Sequence, residues 1–315
     1  MLNDSALQVF RDSEDSTIRL RCQTGSVFGA RYLDAGVKTP GSLNAGLILS
    51  RLCLGDQADV RMVDADAGRF ATNQAILVYT DDPIRACLGA QYAGWPIETD
   101  DYFAMGSGPM RLARGREPVL EQLGLSEMPH QVVGVLESEK FPTQSAIEMI
   151  AKQCGVDASS VHLAIAPSTS IAGSIQVVAR SIETALHKLH ELNFDVRTIL
   201  AGTGHAPLPP PAKPGDTIGG IGRTNDAMLY GATVTLWADH EDDAIESIAE
   251  QVPSRASDDH GQPFQKIFAK YDHDFYQVDP MLFSPAVVTI HNLRSGRTWT
   301  NGAIETEILR ESFLT

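Results

Sequence analysis

The sequence predicts an α+β protein: two domains of mixed sheet with packed helices and a cleft between them. Three observations carry this reading. The chain has 315 residues, too many for one small core and well suited to two domains. Hydrophobic residues make up 43% and charged residues 21%, the composition of a packed globular protein. Strand-like and helix-like segments are mixed without strict alternation, which argues against a clean doubly wound sheet. The boundary is expected near residue 155. That gives an N-terminal domain at 1–155 and a C-terminal domain at 156–315, with a return of the last strands to the first domain left open.

The elements follow in order. Residues 17–22 and 27–34 alternate in polarity and read as a hairpin. Residues 42–54 read as a helix, with Pro40 and Gly41 ahead of it and Gly55 behind. Residues 60–63 and 76–79 read as strands and 83–91 as a helix. A glycine-rich run occupies 92–109, with Gly94 and Trp95 in one cluster and Ser107 in a GSGP turn. Residues 132–136 read as a strand, 145–154 as a helix and 161–166 as a buried strand. A hydroxyl- and glycine-rich stretch at 167–173 contains Ser170 and suits a helix cap. It leads into residues 174–193, which read as one long amphipathic helix. Beyond it come a strand at 199–204, a stiff PLPPPAKP connector at 207–214 and the segment IGGIGRTNDAMLYG at 218–231. The chain closes with a strand at 233–238, helices at 242–251 and 264–271, a loop at 280–285, a strand at 287–292, a tight turn at 294–297 and a helix at 305–312. No strong internal repeat is present.

The charge balance narrows the function classes. Lys plus Arg number 25 and Asp plus Glu 40, a net charge of −15. So acidic a surface disfavours nucleic acid and anionic membranes and attracts a cationic small molecule. No segment approaches the roughly 20 apolar residues of a membrane helix. The first residues show no basic region followed by an apolar run, so a cytoplasmic location is expected. The four cysteines are scattered with no CxxC pair, which fits reduced thiols better than disulfides or a zinc site.

The segment 174–193 carries the sharpest signal. At 100° per residue Ile175, Val178, Ile182, Leu186 and Leu189 form one apolar stripe. Arg180, Glu183 and His187 form a second, within about 60° of one another and roughly a third of a turn away. An arginine, a carboxylate and an imidazole beside the core are the composition of an acid–base site. A salt-bridged helix surface has the same composition. Glu183, His187 and His190 also have spacings a metal could use, but no HExxH is present and no matching ligand pair stands elsewhere. In the glycine-rich segment Arg223, Thr224, Asn225 and Asp226 offer donors and acceptors suited to the edge of a heterocycle. A polar turn with its own hydrogen-bond net reads equally well. No GxSxG elbow or partnered cysteine supports covalent catalysis.

Several longer segments together resemble one family, the methenyltetrahydromethanopterin cyclohydrolases, in the form found in methylotrophic bacteria. They are QYAGW at 91–95, DYFAMGSGP at 101–109, APSTSIAGSIQ at 166–176, ARSIETALHKLHEL at 179–192, GRTNDAMLYG at 222–231 and DPMLFSPA at 279–286. The resemblance implies reversible hydrolysis of the methenyl bridge of N5,N10-methenyl-tetrahydromethanopterin to the N5-formyl product, a step of one-carbon metabolism. It implies no metal and no redox cofactor. The arginine and glutamate of the family's R-x-x-E motif match Arg180 and Glu183, which are thereby expected to be catalytic. His187, Arg223, Thr224, Asn225, Asp226, Gly94, Trp95, Ser107 and Ser170 are expected to line the substrate site. Archaeal members carry a lysine where Tyr92 stands, so a role there in holding the substrate's polar tail does not carry over. The family includes trimers, so a homo-oligomer is expected. A metal-dependent hydrolase using Glu183, His187 and His190, and a pterin-binding protein without catalysis, are the rival readings.

Overall fold

A computed structural model describes residues 1–274 and 277–314. The first half of the chain runs α1 (Leu2–Glu14), α2 (Thr17–Leu20), β1 (Gln23–Val27), β2 (Ala30–Asp34), α3 (Leu43–Cys53), β3 (Asp59–Asp64), α4 (Ala67–Phe70), β4 (Gln74–Thr80), β5 (Trp95–Thr99), β6 (Tyr102–Ser107), α5 (Met110–Arg114), α6 (Pro118–Leu123), β7 (Val132–Glu137) and α7 (Gln144–Cys154). The second half runs β8 (Val161–Ile165), α8 (Ile171–Val178), α9 (Ser181–Glu191), β9 (Ile199–Pro207), α10 (Thr217–Asp226), β10 (Thr233–Ala238), α11 (Asp242–Ala249), α12 (Phe264–Lys270), β11 (Val287–Asn292), β12 (Thr298–Gly302) and α13 (Thr306–Leu314). Among the described residues, no helix is long and apolar enough to cross a membrane.

The chain forms two units of α+β class, and each is discontinuous. The first comprises residues 1–58 and 85–177, the second 59–84 and 178–315. The expected division near residue 155 differs from this at two places. The 59–84 segment joins the second unit because β4 pairs with β9, more than 120 residues later. The 156–177 segment joins the first unit because β8 pairs with β2 and β7. It is thus an early hairpin, not the last strands, that crosses over.

The first unit is built on a six-stranded sheet of order β1-β2-β8-β7-β6-β5. Its central strands β2, β8 and β7 are parallel and its flanks antiparallel. Strand β8 is buried at every residue. On one face Leu7, Phe10, Leu49 and Leu52 of α1 and α3 cluster with Val133, Val135 and Ala164. On the other, Ile147 and Ile150 of α7 cluster with Val132, Leu136, Leu163 and Ile165. A strand covered on both faces is mostly apolar, which is why its sequence shows no alternation; the exception, His162, is buried with its ring edge-on to Phe10.

The second unit is built on a six-stranded sheet of order β12-β11-β10-β9-β4-β3, antiparallel except for the parallel β10–β11 pair. Here burial alternates. Val234 and Leu236 of β10 and Val288 and Ile290 of β11 are buried, while Thr235, Trp237, Thr289 and His291 between them are partly exposed. Helix α9 packs on β9 and β10, and α11 on β11 and β12.

Three local readings change. The first hairpin lies later than expected: residues 17–20 form a helical turn closed by Arg21 in the left-handed region (φ 53°). Strands β1 and β2 join through Phe28 (φ 48°) and Gly29 (φ 90°), the two positive φ values a tight hairpin turn requires. The 84–91 helix is π-helical, Ile84–Gln91. The single helix expected over 174–193 is two. Arg180, at φ −91° and ψ 10°, is the cap between α8 and α9. The break has a packing cause. Ala172 of α8 belongs to the first unit's core, whereas Ile182 of α9 packs on Gly202 and Gly204 of β9.

Candidate active site

Arg180 and Glu183 occupy the first turn of α9, at the cap and the third helical position. The Thr184 N–H donates to the Arg180 carbonyl at 2.9 Å, so the turn closes despite the non-helical cap. A carboxylate in the first turn faces the unpaired N–H groups and positive end of the helix dipole. Both side chains are deeply buried, with 8% and 4% relative exposure, and both are engaged in contacts. That burial separates this turn from an ordinary surface ion pair, because a charge with this little water must be held by protein or ligand.

His187 also lies on α9. Its Nε2 stands 3.6 Å from Oε1 of Glu191, one turn further on. Among the described residues no group of three or more His, Cys, Asp or Glu side chains is arranged to hold a metal ion. Glu183, His187 and His190 therefore do not form a ligand set.

The Arg223–Asp226 run is helical, not a glycine-permitted turn. Helix α10 begins where Asp216 Oδ1 accepts from the Gly219 N–H at 2.9 Å, an N-cap strong enough to start a helix through three glycines. The Thr224 hydroxyl donates back to the Gly220 carbonyl at 2.9 Å, and the Asn225 amide to Ile221 O at 2.9 Å. Arg223 donates to the carbonyl of Pro211 at 3.0 Å, holding the proline connector. Asp226 is buried; its Oδ1 accepts from the Phe264 N–H at 2.7 Å and so pins α12. Its Oδ2 has no hydrogen-bond partner among the described residues. Burial pushes its carboxyl up to about 7.

The remaining candidates belong to the first unit. Ser170 Oγ accepts from the Gly173 N–H at 2.9 Å and donates to Pro167 O at 2.8 Å, which makes it the cap of α8. Ser107 is buried, its Oγ 3.3 Å from Sγ of Cys53. That sulfur is in turn 3.7 Å from Oε1 of the buried Gln176. Trp95 is buried, and the Arg114 guanidinium stands 4.7 Å from its ring. At Gly94 an added Cβ would sit 2.3 Å from Glu117 Oε2 and 2.5 Å from the Tyr92 ring. Glycine there makes room for a buried charge cluster. The Arg111 guanidinium pairs with Glu117, caps the carbonyls of Leu88 and Gly89 at 3.0 Å, and lies 5.0 Å from the Tyr92 ring. Arg111, Glu117 and the buried Lys188 stand in no spacing that marks them in the sequence; only the fold reveals them.

Comparison with known proteins places this architecture. The family model described as Cyclohydrolase (MCH) matches residues 1–313, so the class is that of the cyclohydrolases, and the protein is an enzyme. The methenyltetrahydromethanopterin cyclohydrolase of Rhodopirellula baltica is 60% identical over 315 residues, covering 99% of this chain and 94% of that protein. The one from Methylobacillus flagellatus is 39% identical over 90% of this chain and 86% of its own length. That of Methanosarcina mazei is 40% identical over 90% and 89%. The chain belongs to the methenyltetrahydromethanopterin cyclohydrolase family.

Proposed function

We propose that this enzyme catalyses the reversible hydrolysis of N5,N10-methenyl-tetrahydromethanopterin to N5-formyl-tetrahydromethanopterin. The observation that carries the reading is the R-x-x-E pair of the family, held here as two buried side chains on one turn of α9. The bridge carbon lies between two nitrogens in an amidinium and is already electrophilic. What the protein must supply is a water made nucleophilic in the right place, and neither a metal nor a redox cofactor is needed for that.

In the proposed mechanism Glu183 takes a proton as water oxygen bonds to the bridge carbon. The adduct is neutral and tetrahedral. Its C–N10 bond then breaks, the protonated Glu183 delivers a proton to N10, and the hydroxyl proton leaves as the formyl C=O forms on N5. The balance is one water consumed and one proton released. A positioned general base contributes about 10²–10⁴ in rate, and orientation of the planar ring contributes further.

Arg180 answers a different need. A cation at about 4 Å from the cationic substrate would be repelled by roughly 4 kcal/mol at an effective dielectric near 20. Paired with Glu183, it loses most of that repulsion, keeps the carboxylate ionised and fixes its rotamer with a planar fork that lysine lacks. The direct test is to mix the purified protein with the methenyl substrate and follow its near-ultraviolet absorption. Loss of the band with formation of the formyl product is expected. Binding without loss of the band would make this a pterin carrier instead.

We place the enzyme in the cytosol and propose that it works as a homo-oligomer, a trimer on the family resemblance. The partly exposed Thr235, Trp237, Thr289 and His291 on one face of the second sheet, with exposed Leu200 and Leu293, are compatible with a protein contact. Sedimentation equilibrium yielding a single-chain mass would refute the oligomer.

A further inference from the structure

Between the arginine and the glutamate of R-x-x-E lie Ser181 and Ile182, both with 0% exposure. At 100° per residue Glu183 lies about 100° from Ile182 and about 160° from Ser181, off the face these two present. They meet strand β9 where it has no side chains. An added Cβ at Gly204 would sit 2.1 Å from Ser181 Oγ, 3.0 Å from Ser181 Cβ and 3.1 Å from Ile182 Cγ1. One at Gly202 would sit 3.0 Å from Ile182 Cγ2 and 3.3 Å from Leu236 Cδ2. Neither glycine has a positive φ, so left-handed backbone does not explain them. Glycine inside a strand costs chain entropy and packing, and it marks a close approach of another element. Here that element is the turn bearing Arg180 and Glu183.

We infer that Gly204, assisted by Gly202, is a positioning residue: its missing side chain lets the first turn of α9 seat on β9 and so sets the height of Glu183. The inference rests on the reading of Glu183 as the general base. A side chain at 204 lifts the turn by a few tenths of an ångström or more, because both the Cβ of Ser181 and a branched Ile182 stand in its way. A misplacement of about 1 Å costs on the order of 10²-fold in rate, so a shift of a few tenths of an ångström lowers turnover.

The experiment compares Gly204→Ala with the double variant Ser181→Gly/Gly204→Ala, which moves the side chain from helix to strand. Gly204→Ala should lower kcat by about 10-fold or more while KM changes by less than about three-fold, and the double variant should recover to within about three-fold of the parent. Ile245→Ala, in α11 and remote from this contact, should lower the unfolding midpoint with kcat held within about two-fold. If Gly204→Ala fails to fold, Gly202→Ala reads the same contact at gentler distances and should give a smaller loss of kcat. Parental kcat in the folded glycine variants overturns the inference. So does a double variant no faster than Gly204→Ala, or a loss of kcat in Ile245→Ala equal to that in Gly204→Ala. Glu183→Gln, assayed beside them, separates the two ideas. If it is inactive while Gly204→Ala is normal, only the positioning role fails; if it is active, the reading of the base fails.

Discussion

Arg111 and Glu117 form a charge pair with almost no solvent: their side chains are 0% and 6% exposed. The pair lies beneath Gly94 and is bound on its far side to the carbonyls of the π-helical Ile84–Gln91 segment. A π-helix leaves its last carbonyls aimed for an external donor, and Nη1 of Arg111 donates into the cluster of Leu88, Gly89 and Ala90 carbonyls at 3.0–3.3 Å. The QYAGW segment is thus tied down by one buried cation.

Breaking that pair from either side should be costly. Arg111→Met strands both a buried carboxylate and the π-helical carbonyls, and a loss of about 3–5 kcal/mol is expected. Glu117→Gln leaves the cation its carbonyls and should cost less. Urea unfolding of both variants checks the order; equal losses would mean that the carbonyl contacts contribute nothing.

Lys188 supplies a pH signature. The buried amine donates to the carbonyl of Met281, and burial lowers its pKa to about 8 from 10.5. Between those values the unfolded chain binds the proton more tightly, so this group adds stability as pH rises from about 8 to 10.5. Below pH 8 the folded form carries the full cost of a buried charge. Relative to Lys188→Met, the parent should gain on the order of 1–3 kcal/mol across that window. A flat difference would refute the lowered pKa.

Asp226 acts over a lower window. Its carboxyl is raised from 3.8 to about 7, chiefly by burial. Below pH 3.8 both states are protonated and there is no penalty. Between 3.8 and 7 the folded state holds the extra proton, so stability falls as pH rises. Asp226→Asn keeps an acceptor for the Phe264 N–H and should be more stable than the parent at pH 8 by on the order of 1–3 kcal/mol, with the gap closing towards pH 4. A gap that widens towards pH 4 would reverse the assignment.

Arg180→Ala tests the pairing. On the proposed pairing, removal of the guanidinium should move the acid limb of the pH–rate profile to higher pH while kcat falls. A lower kcat on an unmoved profile would give Arg180 a role other than holding Glu183 ionised.

Much of this was legible in the residues, and the failures have physical causes. The apolar residues at 161 and 163–165 mark a strand covered on both sides, and Ile182, Leu186 and Leu189 mark the buried face of α9. The break at Arg180 left no trace, because Ala179 and Arg180 are good helix formers and two separate cores impose the interruption. The glycines at 219, 220 and 222 read as a turn; the Asp216 cap and packing against α12 and α13 override their weak propensity. Helix α1 was not read from the sequence: Leu2, Ala6, Val9 and Phe10 form its buried face, but the polar residues between them obscure that spacing. Pairing of β4 with β9 depends on segments far apart in sequence, and no local pattern encodes it. Of the candidate site, the Arg180–Glu183 turn was legible through spacing and resemblance together. The glycine seat beneath it was not, since glycine in a strand pattern signals close approach without naming what approaches.

The central claim is best tested by single-turnover hydrolysis of the methenyl substrate by Glu183→Gln. Glutamine keeps the size of the side chain and one acceptor oxygen but takes no proton from water. Substrate should bind more weakly, because the Arg180 charge is no longer offset, and the hydrolysis rate of the bound substrate should fall by about 100-fold or more. A rate within a few-fold of the parent would show that another group activates the water.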